Sequence, residues 1–141
     1  MLAMAWLLPP APLSLAVAQA PPLSGTVSMA VISLALVAGA EWGKGLLTLA
    51  DGTQHRFTVK GLELGGMGVE KALLHGHVYH LTTLADFAGL YAAAELDFTI
   101  AGGEGGMAMR NAHGVTISLA SVEEGVQTTI GGAGVEITLQ P

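Results

Sequence analysis

The sequence predicts an all-β chain, mainly antiparallel, folded as a small β-barrel or barrel-like sandwich of about nine or ten strands with one short helix. Three observations carry that prediction. Apolar and polar residues alternate over most of the chain, as they do in half-buried strands. The pair Asp51-Gly52 stands between two alternating runs, which is a strong hairpin signal. Finally, 20 glycines punctuate the runs, and bends and bulges at barrel corners use glycine.

Thr26 to Val37 is rich in Val, Ile and Leu and reads as a long, largely buried strand. Its β-branched content and the glycine that follows favour strand over helix. Gly39 to Gly45 reads as a turn. Leu47 and Leu49 then share one face, and Phe57 and Val59 lie on the strand returning from Asp51-Gly52, a pair suited to a type I′ turn. Gly61 to Gly68 is a glycine-rich crossing, and Val69 to Leu81 returns to strand. Thr83-Leu84-Ala85-Asp86 has the form of a capping box and opens a short helix running to Gly89. Ala92 to Ile100 alternates again, with Leu96, Phe98 and Ile100 on one face. Gly102 to Gly106 makes the next turn. Met107 to Arg110 pairs with Val115 to Leu119, and Val126 to Ile130 forms a last hairpin with Val135 to Leu139.

Composition narrows the function classes. Hydrophobic residues make up 51% of the chain and charged residues 11%, which excludes a disordered segment. Five Lys+Arg against eleven Asp+Glu give a net charge of −6. The basic residues, Lys44, Arg56, Lys60, Lys71 and Arg110, are scattered along the chain. Both facts argue against a nucleic-acid partner and against electrostatic docking on an anionic leaflet. With no cysteine, disulfides, thiol nucleophiles and cysteine-held metals are excluded.

Residues 1–20 read as a cleaved signal peptide and 21–141 as a single mature domain. Leu13 to Val17 is a short apolar run, and Ala18-Gln19-Ala20 has the small-x-small pattern of a cleavage site. Pro9, Pro10 and Pro12 disfavour a buried helix there. The segment departs from the usual pattern in lacking an N-terminal Lys or Arg. The expected compartment is the periplasm. The next apolar run, Val27 to Ala40, falls short of the about 20 residues that span a bilayer, so no transmembrane anchor is expected.

His75 to Tyr91 breaks the alternation and gathers three of the five histidines. On a strand, His75, His77 and Tyr79 share a face and His80 points away. A His-x-His pair can hold zinc or copper, yet needs a third ligand, for which His55, His113 or a carboxylate would have to serve. A partly exposed strand whose histidines meet water is the plainer reading, so no metal and no cofactor are expected. Gly39-x-x-x-Gly43-Lys44-Gly45 is one residue too short for a phosphate loop and lacks its Ser or Thr. No Gly-x-Ser-x-Gly elbow is present, and Ser118 lies inside an expected strand. No catalytic residue is assigned and the chain is read as non-enzymatic, with a metal-dependent enzyme using His75 and His77 as the remote alternative. Trp42, Phe87 and Tyr91 are the candidates to line a site for an apolar ligand.

The order of the motifs carries a resemblance. Gly43-x-Gly45-x-Leu47 is followed by Phe57-x-Val59-x-Gly61-Leu62, then Gly65-Gly66-x-Gly68-Val69, Gly76-x-Val78-Tyr79-x-Leu81, Asp86-Phe87-x-Gly89-x-Tyr91 and Arg110-Asn111-x-x-Gly114-Val115. In this order they resemble the envelope integrity protein A family, small secreted proteins of proteobacteria, over roughly Gly25 to Leu139. The resemblance implies a periplasmic β-barrel-like domain that supports cell-envelope integrity, with no catalytic residues to carry over. His80 stands where that family's pattern has a polar, often amide, residue. The Gly39 to Leu49 region also resembles the lipid-binding domain named for its SYLF residues. A lipid or other apolar envelope molecule is therefore the second functional reading.

Overall fold

Burial follows the sequence alternation strand by strand, and that alternation builds a closed barrel. The computed structural model describes residues 21–33, 41–65, 71–95, 106–123 and 126–141. Strands β1 (Leu23–Ser33), β2 (Glu41–Leu49), β3 (Gln54–Lys60), β4 (Leu62–Gly65) and β5 (Lys71–Tyr79) come first. A 3₁₀ turn, Leu84–Phe87, leads into β6 (Gly89–Ala93). Strands β7 (Met107–Asn111), β8 (Thr116–Ser121), β9 (Gln127–Ile130) and β10 (Val135–Leu139) complete the set. The barrel closes in the order β1-β2-β3-β10-β6-β7-β8-β5, while β4 and β9 form a separate two-stranded sheet. Every described pairing is antiparallel, including β5 with β1, which seals the ring.

Eight strands enclose an interior just wide enough to be filled by side chains. Val27, Met29 and Val31 of β1 face inward with Leu47, Phe57, Leu74, Met109, Ile117, Leu119 and Ile137, each at most 4% exposed. Glycine makes room where large side chains meet. A Cβ on Gly45 would run into the Phe57 ring, and one on Gly76 into the Ser118 carbonyl oxygen. At one end the 3₁₀ turn drops Phe87 into the barrel, edge-on to Phe57 with ring centroids 5.1 Å apart. The Tyr91 hydroxyl donates to the Phe87 carbonyl oxygen at 2.6 Å, and Asn111 Nδ2 donates to that of Asp86 at 2.7 Å. At the opposite end, Leu62 of β4 joins the core, with Leu64, Val126 and Ile130 packed against it.

The barrel, the total of ten described strands and the Asp51-Gly52 hairpin agree with the sequence reading; eight of the strands close the barrel, and several details differ. The first strand begins at Leu23 rather than Thr26. Trp42 to Gly45 belongs to β2 and not to a turn, because Gly43 and Gly45 face inward against Val31 and Phe57 instead of bending the chain. Gly52 has φ 90 but Asp51 does not have positive φ, so the hairpin is not type I′. It is closed by Gly52 N–H to Leu49 O and Leu49 N–H to Thr53 O, each 2.9 Å, the pattern of a type I turn followed by a glycine bulge. Leu62–Gly65, expected within a crossing, is strand β4.

The capping box does not form. Thr83 makes no side-chain cap hydrogen bond in this 3₁₀ turn; the Asp86 N–H that a box would cap donates instead to the Thr83 carbonyl oxygen at 2.9 Å. Strands β9 and β10 do not pair with each other; β9 lies against β4, and β10 sits between β3 and β6. The Gly131–Gly134 turn is present, but Gly131 N–H donates to Gly61 O at 2.8 Å and fixes β9 beside β4. The signal-peptide reading, the strand extension over 34–37, the Gly66–Gly68 part of the crossing, Leu96, Phe98, Ile100 and the turn at 102–105 lie outside the described residues.

Candidate binding site on the outer wall

The sheet separates the three aromatic candidates. Trp42 stands on the outer face of β2, 42% exposed, whereas Phe87 and Tyr91 are fully buried inside the barrel. The two inner rings are used in packing, Phe87 on Phe57 and Tyr91 on the Phe87 carbonyl. Burial holds the Tyr91 phenol above the ordinary tyrosine range, so its proton is kept for that bond.

The histidines are placed as strand alternation requires, with His75 and His77 adjacent on the outer face of β5. Their rings meet edge to face, 5.5 Å apart. His55 pairs in register with the inward-facing Leu47 and so lies on the other side of the sheet. His113 sits in the β7–β8 turn, its Nδ1 3.6 Å from Asp86 Oδ1. Among the described residues no three His, Asp or Glu side chains converge as metal ligands. His80 has φ 63, the left-handed region where Asn, Asp and His are the best-tolerated side chains after glycine. That accounts physically for a polar residue at this corner. Ser118, opposite His77 on β8, is buried with no hydrogen-bond partner on its Oγ among the described residues.

What sequence reasoning missed lies on the outside of β5-β1-β2-β3. Cross-strand register sets the outward residues in rows. Arg56, Leu46, Ser28 and His75 form one row, and Thr58, Lys44, Ala30 and Leu73 form the next. The β1 positions in both rows are small, and their neighbours on β2 and β5 are long. The result is a trough along β1, an open groove of about 880 Å³ lined by all of these except Thr58, together with Gln54, Val122 and Gln140. Leu73 and Val122 are 46% and 65% exposed there.

The same wall collects charge. Lys44, Arg56, Lys60 and Lys71, four of the five Lys+Arg residues, all occupy exposed outward positions on these strands. In sequence they looked scattered, because a barrel wall is assembled from strands whose spacing hides their adjacency. Glu136 of β10 opposes Lys60 at the edge of the wall. Among the described residues the one acid–base contact within 4.0 Å is His113 with Asp86, so no described carboxylate pairs with Lys44 or Arg56. The hydrogen bonds of Thr53, backbone N–H first and hydroxyl second, hold the Asp51 carboxyl below the usual range at the hairpin tip.

Compared with known proteins, no family model, curated protein or solved structure matches the chain. No helix among the described residues is long and apolar enough to cross a membrane.

Proposed function

We propose that this chain is an exported, non-enzymatic barrel of the periplasm that supports cell-envelope integrity through a structural or binding role. The observation that supports it best is the division of labour between the two faces of the sheet. The inner face is occupied by side chains packed on one another, and strand closure leaves the barrel no free edge for β-addition. The exposed groove and basic wall are features available to a partner. The signal-like N-terminus and the ordered motifs point to the envelope as the place where that partner is met. The N-termini of protein recovered from periplasm and cytoplasm test this directly. A periplasmic chain beginning near Pro21 is expected, and a cytosolic chain retaining Met1 would overturn the reading.

The second reading, a binder of a lipid or other apolar envelope molecule, is favoured by the exposed Leu73 and Val122 in the groove. Native mass spectrometry of protein drawn from its own envelope is expected to show a bound lipid. A consistently empty protein would contradict that second reading.

A further inference from the structure

We propose that the trough along β1 binds a single-chain amphiphile with an anionic head, the head held by Lys44 and Arg56 and the chain laid over Leu46, Leu73 and Val122. This deepens the second reading and does not depend on export. Three features converge on it. Ser28 and Ala30 form a low floor between longer side chains on β2 and β5. Lys44 and Arg56 stand on adjacent strands in diagonal register, since Lys44 faces Thr58 and Leu46 faces Arg56. Diagonal neighbours of this kind lie about 7–8 Å apart at the backbone, within reach of one phosphate or carboxylate for two long side chains. On the far side of the floor Leu73 and Val122, 46% and 65% exposed, supply apolar lining beside His75.

The cations thus lie on the β2–β3 side of one groove and the most exposed apolar side chains on the β5 side, as an amphiphile requires. Its volume, about 880 Å³, falls within the range of about 300–1,000 Å³ typical of small-molecule sites. A nucleic acid is a poorer match. The net charge is −6, and no Trp, Tyr or outward-facing Phe lines the groove to stack a base.

The test is calorimetric titration of the purified protein with octyl phosphate and decyl phosphate, both below micelle formation, alongside inorganic phosphate and decyl maltoside. One-to-one saturable binding of both alkyl phosphates is expected. A half-buried chain gains about twofold in affinity per methylene, so decyl phosphate should bind about fourfold more tightly than octyl. Inorganic phosphate and decyl maltoside should each bind at least tenfold more weakly than decyl phosphate. Lys44→Glu combined with Arg56→Glu should weaken decyl phosphate tenfold or more at an unchanged melting temperature. Ser28→Trp, which fills the floor without altering charge, should do the same and serves if the double variant fails to fold. No saturable binding, equal affinity for inorganic phosphate or the maltoside, or variants that bind as the parent does would each overturn the proposal. A chain retained in the cytosol would instead sink the envelope reading and leave this one standing.

Discussion

At the scale of single residues, the structure turns on side chains that satisfy or strain the backbone. His80 is held at φ 63, a conformation that costs most side chains about 1 kcal/mol or more and costs glycine nothing. His80→Gly is expected to raise stability by about 1 kcal/mol and His80→Val to lower it by about as much in urea unfolding. Tyr91 carries a pH dependence. Its folded-state pKa is raised by burial, whereas the unfolded chain ionises at about 10. The stability this group contributes is complete below the unfolded value and is lost as pH rises above it. Tyr91→Phe should cost about 1 kcal/mol near neutrality, through loss of the bond to the Phe87 carbonyl. That difference should narrow in urea midpoints measured above pH 10 or so. Asp51 runs the other way. Its carboxyl is held below the usual range by Thr53, so its contribution is present above the unfolded value and disappears as pH falls through the folded one.

At the scale of elements, the 3₁₀ turn matters because it delivers Phe87 to the core. Phe87 is fully buried against Phe57, and Phe87→Ala should destabilise the fold by roughly 3 kcal/mol or more. An unchanged thermal midpoint would mean that the turn is peripheral. Gly45→Ala should cost about 1–3 kcal/mol, because the new methyl meets the Phe57 ring in the filled interior. Elements defined by local chemistry were readable from the sequence. Leu47, Phe57 and Val59 face inward as their alternation predicts, and Asp51-Gly52 joins neighbours in both sequence and space. The partner of a strand was less readable. Periodicity reports which face of Val135–Leu139 is buried, yet not that β10 closes the ring between β3 and β6. Trp42 was misplaced for a related reason, since Gly43 and Gly45 signal close packing as readily as they signal a turn.

At the scale of the whole molecule, closing eight strands into a ring gives the protein two unlike surfaces. The inner one is packed side chain against side chain. The outer one brings together residues far apart in the chain, and for that reason the groove and its cations could not be read from spacing. Ser28, Lys44, Arg56 and Leu73 become a single site only through the cross-strand register. On the proposal above, ligand is met on this outer wall and not inside the barrel, where Phe87 and Tyr91 lie. Amide chemical-shift mapping of the folded protein during addition of decyl phosphate tests it most directly. Saturable shifts are expected to centre on Ser28, Ala30, Lys44, Leu46 and Leu73, with Phe87, Tyr91 and Met109 unmoved. Shifts centred on those three interior residues, with the outer wall silent, would contradict it.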